Sequence, residues 1–360
     1  MIRGLSFVLI LLVAGYAAAQ SCTQRLNRAE DLFDAGRLLE VEVLISKCIS
    51  DGSFSEGELV RARKLLTKVA IFTDNEPKAE EELVNLLIID PVHELQPEDP
   101  SEMTVLMNKF RTWPIYRIEV YAGGNMAFTG MAQSYSAFTS DASEKEYGKD
   151  LGFVFGARIT KHLRYFVTGL EVGAGFEYRA TGYSVVSSPR GGDLDLAPTD
   201  RNPFETNLTN SQVALRLPLF ARYNFNYGVN AKFTPYVFAG VTVDYYLAAE
   251  YSEASRSGGT SVTISDSPDN DLKAFNQIND LNSSLILGGG AKFRAGKGNF
   301  FFVEARFDKG LALYNVPEER YANQKINGDL MFVEDDVFLN FIGINFGYVK
   351  SIFKPEKLTK

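Results

Sequence analysis

The stretch Phe166–Tyr178 alternates apolar residues with polar or small residues at a period of two. One parity carries Leu170, Val172, Ala174, Phe176 and Tyr178, and the other carries Glu171, Gly173, Gly175 and Glu177. Such alternation is typical of a β-strand, because successive side chains leave a strand on opposite faces. Carboxylates and glycines opposite an apolar, aromatic-tipped face suit the crowded interior of a closed barrel whose outside contacts lipid. The pattern therefore predicts a strand of a membrane β-barrel.

The same alternation recurs along the C-terminal two thirds of the chain and predicts eight strands. They cover Pro114–Asn125, Leu151–Ile159, Phe166–Arg179, Gln212–Phe225, Phe233–Leu247, Ser284–Ala295, Phe300–Asp308 and Val337–Phe353. Each is close to or above the roughly ten residues that a tilted membrane strand needs. Long connections, which we expect to reach roughly 25 residues or more, alternate with short turns. This is the outer-membrane plan, and it places both ends of the barrel on the short-turn, periplasmic side.

Charged residues on these strands share the parity that faces the predicted barrel lumen. They are Arg117, Glu119, Arg158, Glu171, Glu177, Arg179, Arg216, Arg222, Asp244, Lys292, Arg294, Glu304 and Arg306. Unpaired charges are costly to bury, so we expect a network of ion pairs that fills the barrel. The interior of an eight-stranded barrel is just wide enough for side chains. The pattern therefore argues against an open pore.

Residues 20–112 show a different periodicity, with apolar residues at helical spacing. Ala29, Leu32 and Phe33 begin one apolar stripe, and Ala62 begins an equivalent stripe about one tetratricopeptide period later. Gly36 stands at the turn inside the first helical pair. The spacing resembles a pair of degenerate tetratricopeptide repeats, followed by a fifth helix near residues 102–109. Such a domain either binds a partner or only caps the barrel, and the sequence leaves both interpretations open.

The first 19 residues, Met1–Ala19, have the features of a signal peptide, with Arg3 before an apolar stretch and three alanines before Gln20. An exported chain folds in an oxidising compartment, where an even number of cysteines favours a disulfide. The two cysteines, Cys22 and Cys48, open the first predicted helix and close the second, and these ends meet in an antiparallel hairpin. We therefore predict a Cys22–Cys48 disulfide, with lipid attachment at Cys22 as the alternative.

Charge and histidine content exclude several functions. The formal charge of −8 and the lack of a basic run argue against nucleic-acid binding. The two histidines, His93 and His162, fall in a proline-rich link and in a short turn, so no catalytic base is placed near the outer rim. The chain is therefore predicted to be non-enzymatic and to hold no zinc, haem or other cofactor. Four aspartates between residues 266 and 280 lack the spacing of an EF-hand and predict a solvated acidic loop.

Short motifs in the barrel region are similar to those of a known family. They are Leu217-Pro218-Leu219 with Arg222-Tyr223, Thr234-Pro235-Tyr236-Val237 with Ala239-Gly240, and Gly343-Ile344-Asn345-Phe346-Gly347-Tyr348. Residues 114–353 resemble the PorT-like outer-membrane β-barrel proteins of the Bacteroidota. The resemblance implies an outer-membrane location and, for some members, a part in type IX secretion or surface assembly. It implies no catalytic residues. Such barrels often end on an aromatic residue, whereas Lys354–Lys360 follow Phe353 here.

These observations predict an all-β transmembrane barrel of eight antiparallel up-and-down strands, preceded by a small all-α tetratricopeptide-like domain. The predicted domains are a signal peptide (1–19), a periplasmic helical domain (20–112), an outer-membrane barrel (113–353) and a short periplasmic tail (354–360). The expected partners are outer-membrane lipid and a periplasmic or envelope protein. The favoured function is protein interaction in secretion or surface assembly. The alternatives are a narrow solute channel and a structural or receptor barrel that acts through its long loops.

Overall fold

The computed structural model describes residues 22–137, 143–163, 168–189, 205–226, 228, 231–257, 261–264 and 269–358. The predicted signal peptide, the start of the predicted third strand and Asp266 of the acidic loop lie outside the described residues. The chain divides into two compact units. Met1–Ile115 together with Ile352–Lys360 form the helical unit, and Tyr116–Ser351 form the barrel unit.

Within the described residues, the barrel unit is a single antiparallel sheet of eight long strands and two short ones. In chain order they are β1 (Tyr116–Gln133), β2 (Ser143–Tyr147), β3 (Leu151–His162), β4 (Leu170–Pro189), β5 (Glu205–Asn224), β6 (Phe233–Ser257), β7 (Val262–Ile264), β8 (Leu281–Gly296), β9 (Asn299–Gly310) and β10 (Asp336–Ile352). The long strands pair in sequence order and β10 also pairs with β1, so the sheet closes into a ring. The prediction of an eight-stranded up-and-down barrel is confirmed. The short strands β2 and β7 pair with β4 and β6.

The register of the strands brings opposite charges side by side on the inner face. Glu119 of β1 lies opposite Arg158 of β3, and Glu177 of β4 lies opposite Arg216 of β5. Large apolar side chains occupy the other parity and are exposed on the outer surface of the barrel, as Leu217 and Phe346 show. This is the distribution expected when lipid contacts the outside and side chains fill the inside.

Glycines in β8 make room for aromatic side chains in the barrel. A Cβ atom at Gly288 would lie 2.4 Å from the ring of Phe238 and 2.6 Å from the carbonyl oxygen of Ala305. A Cβ atom at Gly290 would lie 2.8 Å from the hydroxyl of Tyr236. No real side chain tolerates such approaches, so the glycines allow these rings to pack against the wall.

Most of the long strands are longer than the sequence predicted, and the longest are β4, β5 and β6. β4 and β5 have 20 residues and β6 has 25, more than a membrane crossing needs. The added residues lie at the end of the barrel that carries the long connections, here called the loop end. Tyr183 and Tyr251 of these extensions point inward and are fully buried. The predicted strands stopped where outward residues become polar, but a strand can continue beyond the lipid with its outer face in water.

The helical unit contains five helices within the part of the chain that the structure describes. They are α1 (residues 22–34), α2 (Leu38–Ser50), α3 (Glu56–Phe72), α4 (Glu76–Ile89) and α5 (Ser101–Met107). α3 begins with a capping box, in which Ser55 and Glu58 satisfy each other's backbone N–H groups. α1, α2 and α3 share one apolar core, and α3, α4 and α5 share another. None of the described helices is long and apolar enough to cross a membrane.

The predicted disulfide is present. Cys22 and Cys48 are joined, with their Cα atoms 5.8 Å apart, and both side chains are buried. The bond links the start of α1 to the end of α2, as expected for an antiparallel hairpin. The likeness to tetratricopeptide repeats stays a prediction.

The C-terminal tail packs within the helical unit. It runs antiparallel to residues 109–115, with backbone N–H groups of Arg111 and Leu358 donating to the carbonyls of Glu356 and Lys109 at 3.0 and 2.7 Å. The ammonium of Lys357 donates to both carboxylate oxygens of Glu80 on α4, at 2.6 and 2.8 Å. The sequence predicted only a short tail after the last strand. In the structure this tail contributes to the helical unit.

Candidate functional site

The first group of lumen charges lies in the half of the barrel nearer the short turns. This turn-side cluster consists of Arg117, Glu119, Arg158, Glu171, Arg222, Lys292 and Glu304, all of them buried. Arg158 donates from both terminal nitrogens to Glu304, each at 3.0 Å, and from Nε to Glu119 at 2.9 Å. Bidentate pairing of this kind is the strong form of an arginine–carboxylate contact. The strands β1, β3 and β9 are thus linked across the lumen.

The remaining members of the turn-side cluster complete the pairing. Arg222 donates from both terminal nitrogens to Glu119, with Nη2 at 2.9 Å. Glu171 pairs with Arg117 and accepts from Lys292 at 3.0 Å. Glu119 and Glu171 therefore each meet two or more cations, while Glu304 is held by Arg158 and by hydrogen bonds from Tyr236 and Asn345. These contacts offset the cost of removing the charges from water.

A second group of charges lies nearer the loop end. This loop-side cluster consists of Glu177, Arg179, Arg216, Asp244, Arg306 and Asp308, also all buried. Arg216 stands at its centre and contacts three carboxylates: Nε lies 2.8 Å from Asp244, Nη1 3.2 Å from Glu177 and Nη2 2.8 Å from Asp308.

Arg179 and Arg306 complete the loop-side cluster. Arg306 pairs with both Glu177 and Asp308. Arg179 donates to Asp244 at 3.3 Å, and its guanidinium carbon lies 3.5 Å from the centre of the Phe341 ring.

The lumen differs from the prediction at two residues, Arg294 and Asp308. Arg294 is exposed, so its placement in the packed lumen is wrong. Its parity matches that of Lys292, but it precedes an irregularity in β8 beside the turn to β9, where the wall of the barrel ends. Asp308 was missed, although it shares the parity of Glu304 and Arg306 and ends the predicted strand. The same rule of alternation could have found it.

Little free space remains among these side chains. The cavity between Asn125, Arg179, Arg216, Arg306 and Asp308 has a volume of about 20 Å³. That is room for about one water molecule, far from a continuous passage. The loop-side cluster therefore occupies its level of the lumen.

The connection between β9 and β10, residues 311–335, folds into the loop end of the barrel, and we call it the plug. It contains a short 3₁₀ turn at Pro317–Glu319 and a π-helical turn at Lys325–Asp329. Four of its buried apolar side chains belong to the same core as Tyr183 and Tyr251 of the extended strands. They are Tyr314, Ile326, Leu330 and Phe332. The sequence did not predict this second layer, because residues 311–335 show neither strand nor helix periodicity.

Three consecutive acidic residues fasten the plug where it enters β10. Glu334 accepts a hydrogen bond from the hydroxyl of Tyr183 at 2.5 Å. Asp335 accepts from the ammonium of Lys145 at 2.6 Å and from the hydroxyl of Tyr147 at 2.9 Å. Burial removes both groups from water, which is unfavourable for their charged forms. It therefore raises the pKa of Glu334 and lowers the pKa of Lys145.

The last residue of this acidic triplet, Asp336, holds the plug itself. It accepts hydrogen bonds from Arg320 at 2.5 Å and from the side-chain amide of Asn315 at 2.9 Å. The Arg320 guanidinium also lies over the ring of Tyr135, 3.5 Å from its centre. The only sequence signal for this arrangement was the run of three acidic residues before the last strand.

The two histidines and Asp280 of the acidic loop make local contacts, whereas Asp269 pairs with Lys325 of the plug. The His162 ring nitrogen Nδ1 lies 2.8 Å from the carbonyl of Leu170, and His93 lies 3.1 Å from a carboxylate oxygen of Asp90. In the acidic loop Asp280 pairs with a lysine, at 2.8 Å. Across the described ranges, no group of three or more His, Cys, Asp or Glu side chains is placed to hold a metal ion.

A closed ring of eight antiparallel strands, apolar outside and filled with paired charges, defines a transmembrane β-barrel of the outer-membrane type. Residues 114–312 match the family model described as the outer membrane protein beta-barrel domain, which covers more than half of the chain. The chain belongs to this family.

Solved outer-membrane proteins are similar in structure at low sequence identity. Neisserial surface protein A (NspA) matches with a TM-score of 0.32 and 11% identity, covering 66% of this chain and 97% of its own. OprG from Pseudomonas aeruginosa matches with a TM-score of 0.34 and 13% identity, covering 66% of this chain and 98% of its own. Ail, the attachment invasion locus protein of Yersinia pestis, matches with a TM-score of 0.26 and 12% identity, covering 65% of this chain and 98% of its own. No curated protein matches the chain.

Proposed function

We propose that this protein is a non-enzymatic, non-conducting outer-membrane anchor whose helical unit binds a periplasmic or envelope protein. The observation that carries the proposal is the filled barrel. The turn-side cluster, the loop-side cluster and the plug occupy successive levels of the interior. A barrel filled in this way offers no solute path, so the separately folded helical unit is the better candidate for a binding function.

The ends of the barrel support a periplasmic position for the helical unit. β1 begins at Tyr116 and β10 ends at Ile352, both at the end of the barrel that carries the short turns. In outer-membrane barrels the short turns face the periplasm and the long connections face outward. The resemblance to PorT-like proteins extends the proposal to a part in secretion or surface assembly.

The partner-binding role can be tested by crosslinking in intact cells. The informative variant lacks residues 22–108 and keeps residues 109–115, which pair with the C-terminal tail. We expect crosslinked protein partners to disappear, while the variant still shows the heat-dependent gel mobility of an inserted barrel. If the crosslinked species persist, the helical unit only caps the barrel and the proposal is wrong.

The rival function, a narrow solute channel, can be tested on the purified protein. In planar bilayers we expect no steady conductance, because each level of the lumen is occupied by paired charges or by the plug. Reproducible open steps of a defined size would contradict a non-conducting anchor. A variant that lacks most of the plug, residues 312–333, distinguishes the contribution of the plug from that of the ion-pair clusters. We expect this variant to remain non-conducting, because the ion-pair clusters still fill the lumen.

A further inference from the structure

We propose that a cleft on the helical unit binds a peptide segment of the partner that presents an apolar side chain next to a basic one. The cleft lies between the end of α3, the start of α4 and α5, and we call it the α3–α5 cleft. Ala70, Ala79, Val105 and Leu106 are among its apolar lining residues. The inference rests on the proposed function and adds the position of the site and the chemistry of the ligand.

The cleft exists because small residues meet where α3 turns into α4. Ala70 and Ala79 are buried at its floor, and Leu106 of α5 closes the back. The side chain of Asn75 caps α4 by accepting from a backbone N–H, which fixes the turn between the helices. Two alanines at a helix junction leave space that a larger side chain of the same protein would otherwise fill.

The size of the cleft fits one side chain rather than a whole cofactor. Its volume is about 270 Å³. Pockets for small molecules begin at roughly 300 Å³. Val105 stands at the rim with 63% of its surface exposed, so the apolar lining continues outward to where a peptide backbone would run. An apolar anchor seated in a small pocket is a common way for peptides to bind.

The charges around the rim favour a basic ligand. Asp74, Glu76 and Glu102 contribute three carboxylates and Lys109 one ammonium. Lys109 is already paired with Glu76, and their hydrogen bond lowers the pKa of this carboxyl group. Asp74 and Glu102 therefore remain to attract a cation. Complementary charge of this kind selects among partners more than it adds affinity.

Another exposed apolar surface of the helical unit lies outside the cleft. Leu39 and Val43 of α2 are more exposed than Val105, at 83% and 79%. They are neighbours on one face of the helix but do not line the α3–α5 cleft. This surface supplies a matched control for every change made in the cleft.

The first experiment measures binding of defined peptides to the full-length protein in detergent micelles. The probe is a fluorescent glycine–serine peptide with one leucine between two lysines. We expect it to bind better than peptides in which the lysines are replaced by glutamates or the leucine by serine. Equal binding of all three peptides, or no binding above that to empty micelles, would overturn the inference.

Matched variants then locate the site. Glu102→Lys and Val105→Ser should each weaken binding of the leucine–lysine peptide about fivefold. Glu81→Lys, on the exposed side of α4, and Val43→Ser should leave it unchanged. An equal loss in the control variants would show that the peptide binds elsewhere and that the assignment is wrong.

The second experiment finds the occupant in intact cells. A photoreactive phenylalanine analogue at position 105 should crosslink to a protein segment that contains a basic residue beside an apolar one, and the same group at position 43 should not. Crosslinks from position 105 to lipid or to a second copy of this chain would overturn the inference. If deletion of residues 22–108 removes the partners but position 105 captures none, the cleft is wrong and the proposed function stands.

Discussion

The barrel unit and the helical unit of this protein distribute polar and apolar residues in opposite ways. In the barrel unit the guanidinium groups of Arg179, Arg216 and Arg222 are almost completely buried, while Phe301 and Phe346 are more than half exposed. In the helical unit most buried side chains are apolar, with Thr67 and Glu82 as exceptions, and most ion pairs lie at the surface. Lipid accepts apolar side chains that water rejects, and the charges inside the barrel are stable only because they meet each other. The same type of salt bridge therefore has a different importance in the two units.

The largest expected effect comes from removing one cation from the loop-side cluster. Arg216→Met leaves Glu177, Asp244 and Asp308 with one partner fewer, and we expect it to destabilise the barrel by about 3–5 kcal/mol. Arg61→Met is the matched change in the helical unit, where the pair with Glu30 is exposed and should contribute about 0–1 kcal/mol. The effect of Arg216→Met is measured by heating samples to increasing temperatures and finding where the gel mobility of the folded barrel is lost. Circular dichroism of the helices measures the effect of Arg61→Met.

The difference in stability loss between these two variants is the test of whether the lumen charges are shielded from water. If Arg216→Met and Arg61→Met cost the same, the lumen charges are solvated, and water must enter the barrel to a depth that the packed clusters do not allow. Conductance recorded from Arg216→Met would then show whether that water forms a path.

The next effect concerns only the helical unit, whose two apolar cores are small. Replacing both Cys22 and Cys48 by serine should lower its stability by about 3 kcal/mol, since the disulfide closes a loop with a sequence separation of 26. The gel mobility of the barrel should not change. Intact mass before and after reduction gives a direct check, because reduction adds two hydrogens to an otherwise unmodified chain. A lipid adduct on Cys22 would contradict the disulfide.

Alternation leaves only two faces for each strand residue, so the sequence alone can assign a charged residue to the lumen side of a strand. Glu119, Arg158 and Glu177 could be assigned from parity alone, and the structure places each in an ion pair. Arg294 shows the limit of parity, which says which way a residue points but not whether the barrel still surrounds it. The plug lies beyond the reach of periodicity altogether. Its partners, such as Lys145, come from a distant connection, and no local pattern records that contact.

A smaller effect separates the plug from the barrel below it. Asp335→Asn removes the ionised partner of Lys145 while keeping a side chain of the same shape. The ammonium would keep only neutral acceptors, namely backbone carbonyls and the amide oxygen at position 335, and would lose its charged partner. We expect a loss of about 2 kcal/mol, confined to the plug. Faster proteolysis within residues 311–335 at an unchanged unfolding temperature of the barrel would show this. A fall in barrel stability equal to that of Arg216→Met would mean that the plug and the loop-side cluster unfold as one.

The smallest effect is a pH dependence of the plug that comes from Glu334. Burial raises the pKa of this carboxyl group above its ordinary value of 4.5, so the folded plug holds a proton more tightly than the unfolded chain. Its contribution to stability is therefore complete below pH 4.5 and decreases as the pH rises through the raised pKa. The charged groups that face it are Lys145 and Asp335, with the hydroxyls of Tyr183 and Tyr251 as hydrogen-bond donors.

The variant Glu334→Gln isolates this effect, because the amide oxygen still accepts from Tyr183 but carries no proton to lose. At neutral pH it should resist proteolysis of the plug slightly better than the natural protein, by about 1 kcal/mol or less. At acid pH the two proteins should be alike, since the natural carboxyl group is then neutral as well. A variant less stable than the natural protein at neutral pH would mean that the attraction of the Lys145 ammonium outweighs the burial of the Glu334 charge. The loop end would then be held together by paired charges in the same way as the clusters beneath it.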